Sequence, residues 1–321
     1  IYKFLDTNFD YYFFESDMVS IGAEIVKDNM DKIFEESNGA IVFDGQRYDP
    51  KLHTRVFINS QGIPTYEAKE IGLTLTKFEK EDLDLSIVTT AIEQAEYMKV
   101  VQKAISLIYP EIEKKMKHIT HGMMKLVSGK MSSRKGNIIT GEALINDSVS
   151  VVLEKIKDRD FKEDERKDIS EKVGLSALRY SILKSHLGAD IIYDFDKSIS
   201  FDGDSGPYLQ YTAVRANSIL EKSKAFDLAK RKNTRVETSL LEKILYQFPE
   251  VVEKAYINLE PHHIVKYLTE LAGSFNIFYG QTKILAEEND CMEYDLKIVK
   301  SFYQTMKNGL YLLGIKIPDK M

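Results

Sequence analysis

Short β-branched and aromatic runs alternate with amphipathic stretches over the first 140 residues. Ala40-Ile41-Val42-Phe43, Arg55-Val56-Phe57-Ile58 and Leu85-Ser86-Ile87-Val88-Thr89 read as strands, each ended by Asp-Gly, by Gln-Gly-Ile-Pro or by a polar helix start. Between them, apolar residues at three- and four-residue spacing predict helices over 18–37, 66–78 and 93–109. Strands alternating with helices imply an α/β unit with a mostly parallel sheet. From Glu142 onward the helical period takes over, predicting helices over 143–156, 169–187, 208–220, 240–255, 263–285 and 296–313. Breaks fall at Asp202-Gly203-Asp204-Ser205-Gly206-Pro207, at Glu260-Pro261 and over 287–290. The dense two-signed charge of 157–172 reads as a solvated helix face or linker. The expected organisation is α/β over 1–140, a helical connection over 141–175 and an all-helical domain over 176–321, helix-dominated overall.

Composition narrows the classes without choosing among them. Hydrophobic residues make up 43% and charged residues 29% of the 321, which excludes a disordered or fibrous chain. Lys and Arg number 44 against 50 Asp and Glu, so no global basic field exists and a nucleic-acid partner has to be held by local patches. The single cysteine, Cys291, excludes an internal disulfide and a cysteine-based zinc cluster, and suits a reducing, cytoplasmic setting. It reads as incidental. No apolar run approaches the ~20 residues of a membrane span. The first residue is Ile1 and no charged-then-apolar leader follows, which fits an excised portion of a longer protein.

Three constellations carry candidate chemistry. The first is Ser128-Gly129-Lys130-Met131-Ser132-Ser133-Arg134-Lys135-Gly136-Asn137, which packs three cations, three small hydroxyls and two glycines into ten residues. Glycines allow close backbone approach, and amides, hydroxyls and cations all donate to phosphate oxygens. Such donors stabilise charge on a departing pyrophosphate. The second is Tyr66 and Glu70, four apart on one predicted helix face, with Gln94 just after a predicted strand near the carboxyl edge of the sheet. A buried carboxylate among neutral acceptors is what a guanidinium needs. On the residues alone, a core tyrosine with surface Glu70 and Gln94 is the plainer alternative. The third is Tyr208, Tyr211 and Arg215, at three and four spacing after the Gly/Asp/Ser/Pro turn. Aromatics stack on unpaired bases and Arg pairs with phosphate or stacks on a base plane. An aromatic stripe is also the commonest form of a helix core face, so the expectation is a shared face with Tyr208 and Arg215 partly exposed. Lys222, Lys224, Lys230, Arg231, Lys232 and Arg235 add either phosphate contacts or a solvated loop. His262 and His263 are adjacent and cannot converge on one metal, so no metal site is expected.

Lys130-Met131-Ser132-Ser133-Arg134 resembles the second signature, the KMSKS loop, of class I aminoacyl-tRNA synthetases. Further segments narrow the resemblance to arginyl-tRNA synthetases: Gly62-Ile63-Pro64-Thr65-Tyr66-Glu67-Ala68-Lys69-Glu70, Leu178-Arg179-Tyr180, Tyr193-Asp194-Phe195-Asp196 and Phe201 through Arg215. Leu271 through Tyr279 and the closing run from Gly309 to Pro318, with Met321, complete it. The resemblance implies the second half of a class I, Rossmann-like nucleotide fold followed by an anticodon-binding helical bundle. It makes Tyr66, Glu70 and Gln94 the arginine-binding set, with Glu70 where the family usually has Asp, its carboxylate one methylene further out. Lys130, Ser132, Ser133, Arg134 and Lys135 become the catalytic donors, His121, Gly122 and Met131 neighbours of ATP, and Tyr208, Tyr211 and Arg215 contacts to tRNA. ATP, with Mg²⁺, is then a substrate rather than a resident cofactor; arginine and its tRNA are the other partners, and a monomer is expected. The implied reaction joins arginine's carboxylate to the ATP α-phosphate, releasing pyrophosphate, and then transfers arginyl to the terminal tRNA ribose. The first class I signature, a His-x-Gly-His tetrapeptide, does not occur in the sequence. In the family it lies ahead of the region Ile1 resembles, so the chain alone is expected to be inactive. Two alternatives stay open: a non-catalytic tRNA-binding module, and an ATP-dependent small-molecule ligase on the same nucleotide fold.

Overall fold

The computed structural model describes residues 1–127, 140–228 and 237–321. Two compact units emerge, Tyr2–Met123 and Met124–Met321. The first contains α1 (Met18–Asp28), β1 (Glu35–Ser37), β2 (Ala40–Asp44), β3 (Thr54–Ile58), α2 (Tyr66–Lys80), β4 (Ser86–Ala91), α3 (Ala95–Ile108), α4 (Pro110–Glu113) and β5 (Met116–His121). Its core gathers Phe43 and Phe57 from the small sheet and Phe34 just ahead of β1 with Val26, Ile71, Val101 and Ile105 from the helices.

The helix expected over 18–37 stops at Asp28, and Glu35–Ser37 is instead a strand paired with β2. The reason is Asn38-Gly39, both at positive φ (51° and 77°), which makes the two-residue hairpin whose twist matches paired strands. That hairpin also corrects the expected mostly parallel sheet, because β1, β2 and β3 form an antiparallel sheet. Among the described residues, the parallel strand pairs are β4 with β5 and, in the second unit, β6 (Met124–Leu126) with β7 (Ile191–Tyr193). Helices α1 and α2 cross at backbone contact. A Cβ on Gly22 would stand 2.1 Å from the Ala68 carbonyl oxygen, and one on Gly72 would stand 2.9 Å from the Gly22 nitrogen.

The second unit is helical: α5 (Gly141–Lys155), α6 (Glu163–Leu183), α7 (Phe195–Ser198), α8 (Gly206–Ser223), α9 (Leu240–Tyr246), α10 (Phe248–Asn258), α11 (His262–Gln281) and α12 (Met292–Leu312). The single helix expected over 240–255 is two, because Pro249 lacks an N–H and so suits the first turn of a new helix. Helix α6 runs unbroken through residues 175 and 176. Leu209, Leu268, Phe275, Phe302 and Leu310 are fully buried in the main core, where Phe275 stacks on Phe302 at 3.9 Å between ring centroids. A smaller core joins α5 to α6 through Val152, Ile169 and Val173. Tyr193 is buried beside it with its hydroxyl 2.9 Å from Ser148 Oγ, and the Asp194 side chain caps α7, so this stretch is architecture. No helix among the described residues is long and apolar enough to cross a membrane.

Candidate functional site

In the first unit, parallel pairing of β4 with β5 places Ala91 opposite His121 at the carboxyl ends of both strands. Open α/β sheets bind ligands at that edge. Gln94 follows directly, exposed, as the last residue of a short 3₁₀ turn after β4. His121 ends β5 with Nδ1 2.9 Å from the carbonyl oxygen of Gly122, which is buried. The expected amino-acid and nucleotide residues Gln94, His121 and Gly122 thus share one strand-end edge.

Tyr66 and Glu70 stand one turn apart at the start of α2, with Tyr66 67% exposed and Glu70 half-buried. Among the described residues none of Tyr66, Glu70 and Gln94 hydrogen-bonds another. Tyr97, on α3 one turn after Gln94, lies within the electrostatic reach of Glu70 and Tyr66. Burial, then the charges of Glu70 and Glu67, push its phenol well above the ordinary tyrosine range, with Arg55 opposing them. The two glutamates play different parts. Glu67 is buried and already satisfied, its Oε1 3.5 Å from Arg55 Nη1, and the Arg55 guanidinium lies 5.7 Å from the Tyr97 ring centroid. Glu70 has no ion pair among the described residues, and burial raises its carboxyl above the usual range while Lys77 partly offsets that. Lys77 in turn donates to Ser86 Oγ at 3.1 Å, and burial lowers its ammonium below the ordinary value. A desolvated carboxylate without an ion pair, near the Tyr97 phenol, is disposed to accept a cationic ligand.

In the second unit, Ser205 caps α8 by accepting from the Tyr208 amide at 3.1 Å. Asp204 of the same turn accepts from the buried Tyr180 hydroxyl, which fixes the turn on α6. Tyr208, Tyr211 and Arg215 then line up on α8, all partly exposed, as the shared face required. The Arg215 guanidinium lies 4.7 Å from the Tyr211 ring centroid and 5.4 Å from that of Tyr279 on α11. Asn276, also on α11, accepts from Arg215 Nη1 at 2.9 Å and donates to the Tyr208 hydroxyl at 2.9 Å. The result is a cationic plane pinned between two aromatic faces. It opens on a cleft of about 800 Å³ lined by Tyr211, Arg215, Lys222, Tyr279, Lys283 and Met321. Sequence reasoning missed Asn276, Tyr279 and Lys283 as site residues; Asn276 and Tyr279, at i and i+3 on a strongly periodic helix, carried the legible signal.

Lys130, Met131, Ser132, Ser133, Arg134 and Lys135 lie outside the described residues, as do Lys230, Arg231, Lys232 and Arg235.

An α/β unit with a parallel strand-end edge, joined on one chain to a helical unit with an aromatic–arginine cleft, is the build of a class I aminoacyl-tRNA synthetase. Residues 8–195 match the family model for tRNA synthetases class I (R), catalytic domain, and residues 209–321 match the DALR anticodon binding domain. The chain belongs to the class I (R) tRNA synthetase family. It is 32% identical to the arginine–tRNA ligase of Borreliella afzelii and 30% identical to that of Clostridium perfringens, each alignment covering all of this chain. The chain spans 57% and 58% of those two relatives. The arginyl-tRNA synthetase of Thermus thermophilus shares its fold with a TM-score of 0.83 at 24% identity, over 99% of this chain and 61% of that one. That of Plasmodium falciparum does so with a TM-score of 0.79 at 20% identity, over all of this chain and 56% of that one.

Proposed function

We propose that this chain is the amino-acid-pocket and anticodon-binding portion of an arginine–tRNA ligase, which uses ATP to attach arginine to its tRNA. The observation that carries the reading is Glu70, a desolvated carboxylate with no ion-pair partner of its own, beside Tyr66 and Tyr97 at the start of α2. The arginine guanidinium supplies the missing cation there, and Gln94 at the β4 end contributes a neutral amide. Glu70, a methylene longer than the family's usual Asp, reaches the guanidinium through its extra bond.

Nucleotide chemistry belongs to the strand-end edge and the signature loop. His121 and Gly122, at the strand-end edge, contact the adenine, and Met131 of the signature loop contributes to ATP binding. Lys130, Ser132, Ser133, Arg134 and Lys135 donate to the phosphates as pyrophosphate leaves, an interaction stronger in the transition state than in the ground state. ATP enters with Mg²⁺ as substrate. Tyr208, Tyr211 and Arg215 hold unpaired bases of the anticodon loop in the cleft, where Lys222 and Lys283 meet phosphate. That cleft favours the synthetase over a small-molecule ligase, which has no use for it.

The test is arginine- and tRNA-dependent pyrophosphate exchange by the full-length protein and its Arg134→Ala variant. Removing one oriented cation is expected to lower turnover on the order of 10²–10³-fold with little change in arginine affinity. An equal loss in arginine binding would count against the assignment. The chain by itself, without a His-x-Gly-His signature, is expected to give no exchange, and measurable exchange would overturn that expectation.

A further inference from the structure

His262 opens α11 with only 6% of its surface exposed, and its Nδ1 is fully buried without a hydrogen-bond partner. Two other lone-pair donors converge on it. Glu260 Oε2 lies 4.0 Å from that Nδ1, too far for a hydrogen bond. The exposed His186, in the turn after α6, has its ring centroid 4.0 Å from that of His262. One ligand atom from each of the three lies within 4.8 Å of the other two. We propose that His186, Glu260 and His262 bind a zinc-class divalent cation where the end of α6 meets the start of α11.

Ligands at ~2.0–2.2 Å from a tetrahedral zinc ion stand about 3.3–3.6 Å apart, so the set needs to draw in by up to about 1.5 Å. His186, the exposed member, makes that adjustment by turning its side chain. His263 Nε2, buried without a hydrogen bond, lies 3.1 Å from Glu260 Oε2 and is placed to orient that carboxylate once an ion draws it in. The cavity shared by His186 and His262, about 440 Å³, is also lined by Lys184 and Lys266 and by Asp204 and Glu270. An imidazole pair favours a borderline ion such as Zn²⁺ over a hard cation. Adjacent His262 and His263 do not share the ion. The second imidazole comes from a distant turn, which spacing along the chain does not reveal.

The test is calorimetric titration of the chelator-stripped chain with Zn²⁺ alone, with melting followed in parallel. One equivalent is expected to bind and to raise Tm, because an ion that binds only the folded state stabilises it. His186→Ala and Glu260→Gln are each expected to weaken binding at least about tenfold, and His263→Ala to weaken it about 10- to 100-fold. His53→Ala, elsewhere in the chain, is expected to bind as the unaltered protein does. His186 is exposed, so its variant remains informative even if His262→Ala fails to fold. Absence of saturable Zn²⁺ binding, or binding by His186→Ala and Glu260→Gln equal to that of the unaltered chain, would overturn the assignment.

Discussion

Glu70 and Arg215 are opposite solutions to holding a charge in a folded chain. Glu70 is desolvated without a close cation, so its folded-state pKa lies above the ordinary carboxylate value. The native state then binds more protons than the unfolded state across that window, and stability falls as pH rises from the ordinary carboxylate range through the raised value. Glu70→Gln is expected to remove this slope. Urea midpoints of the two proteins compared across the window check it, and a pH-independent difference between them would show that the burial has no energetic effect. In the full-length protein the same variant is expected to raise the KM for arginine by about 10- to 100-fold, from the ~1.5–3 kcal/mol of a charge-assisted bond. Arg215, by contrast, is held between the Tyr211 and Tyr279 rings and tied to Asn276. Arg215→Lys keeps the charge and loses the plane, so filter binding with an arginine-tRNA anticodon stem-loop is expected to show nearly the deficit of Arg215→Ala. Full recovery with Lys would mean that only charge matters there.

Elements decide whether those residues arrive. Helix α2 presents Tyr66 and Glu70, and α1 supports it through the Gly22–Gly72 crossing, where no side chain fits. Gly22→Ala is expected to destabilise by about 1–3 kcal/mol through overpacking, read as a lower urea midpoint. Helix α8 depends on Ser205, which caps it at the amide of Tyr208 itself. Ser205→Ala is expected to cost about 1 kcal/mol in the same measurement. At this scale the sequence was most legible where the period was long. The helices now seen as α2, α3, α5, α8, α11 and α12 follow from apolar spacing alone, and the strands β2, β3 and β4 from their β-branched runs. Spacing failed over 18–37, where local Asn-Gly turn chemistry overrode a helical pattern. It also passed over β5, β6 and β7, which are short and take their pairing from partners distant in sequence. Among the site residues, Tyr208, Tyr211 and Arg215 were legible because one helix carries all three. Tyr97, Glu67 and Asn276 were not, since their roles come from neighbours on other elements.

At the scale of the molecule, the proposed function separates chemistry from recognition: it assigns the guanidinium to Glu70 in one unit and unpaired bases to the cleft of the other. The chain carries a net charge of −6, so recognition rests on local groups rather than on a global field. A few phosphate contacts, such as those offered by Lys222 and Lys283, give a shallow dependence of affinity on salt, since the slope scales with the number of phosphates neutralised. The most direct measurement is therefore binding of an arginine-tRNA anticodon stem-loop to this chain, against a loop-mutated control, over a salt series. Loop-dependent binding with a modest salt slope, weakened by about 5- to 100-fold in Arg215→Ala, is the expected result. Equal binding of both loops with a steep slope, or no binding at all, would contradict the assignment of the Tyr211–Arg215–Tyr279 cleft as the reader of the anticodon.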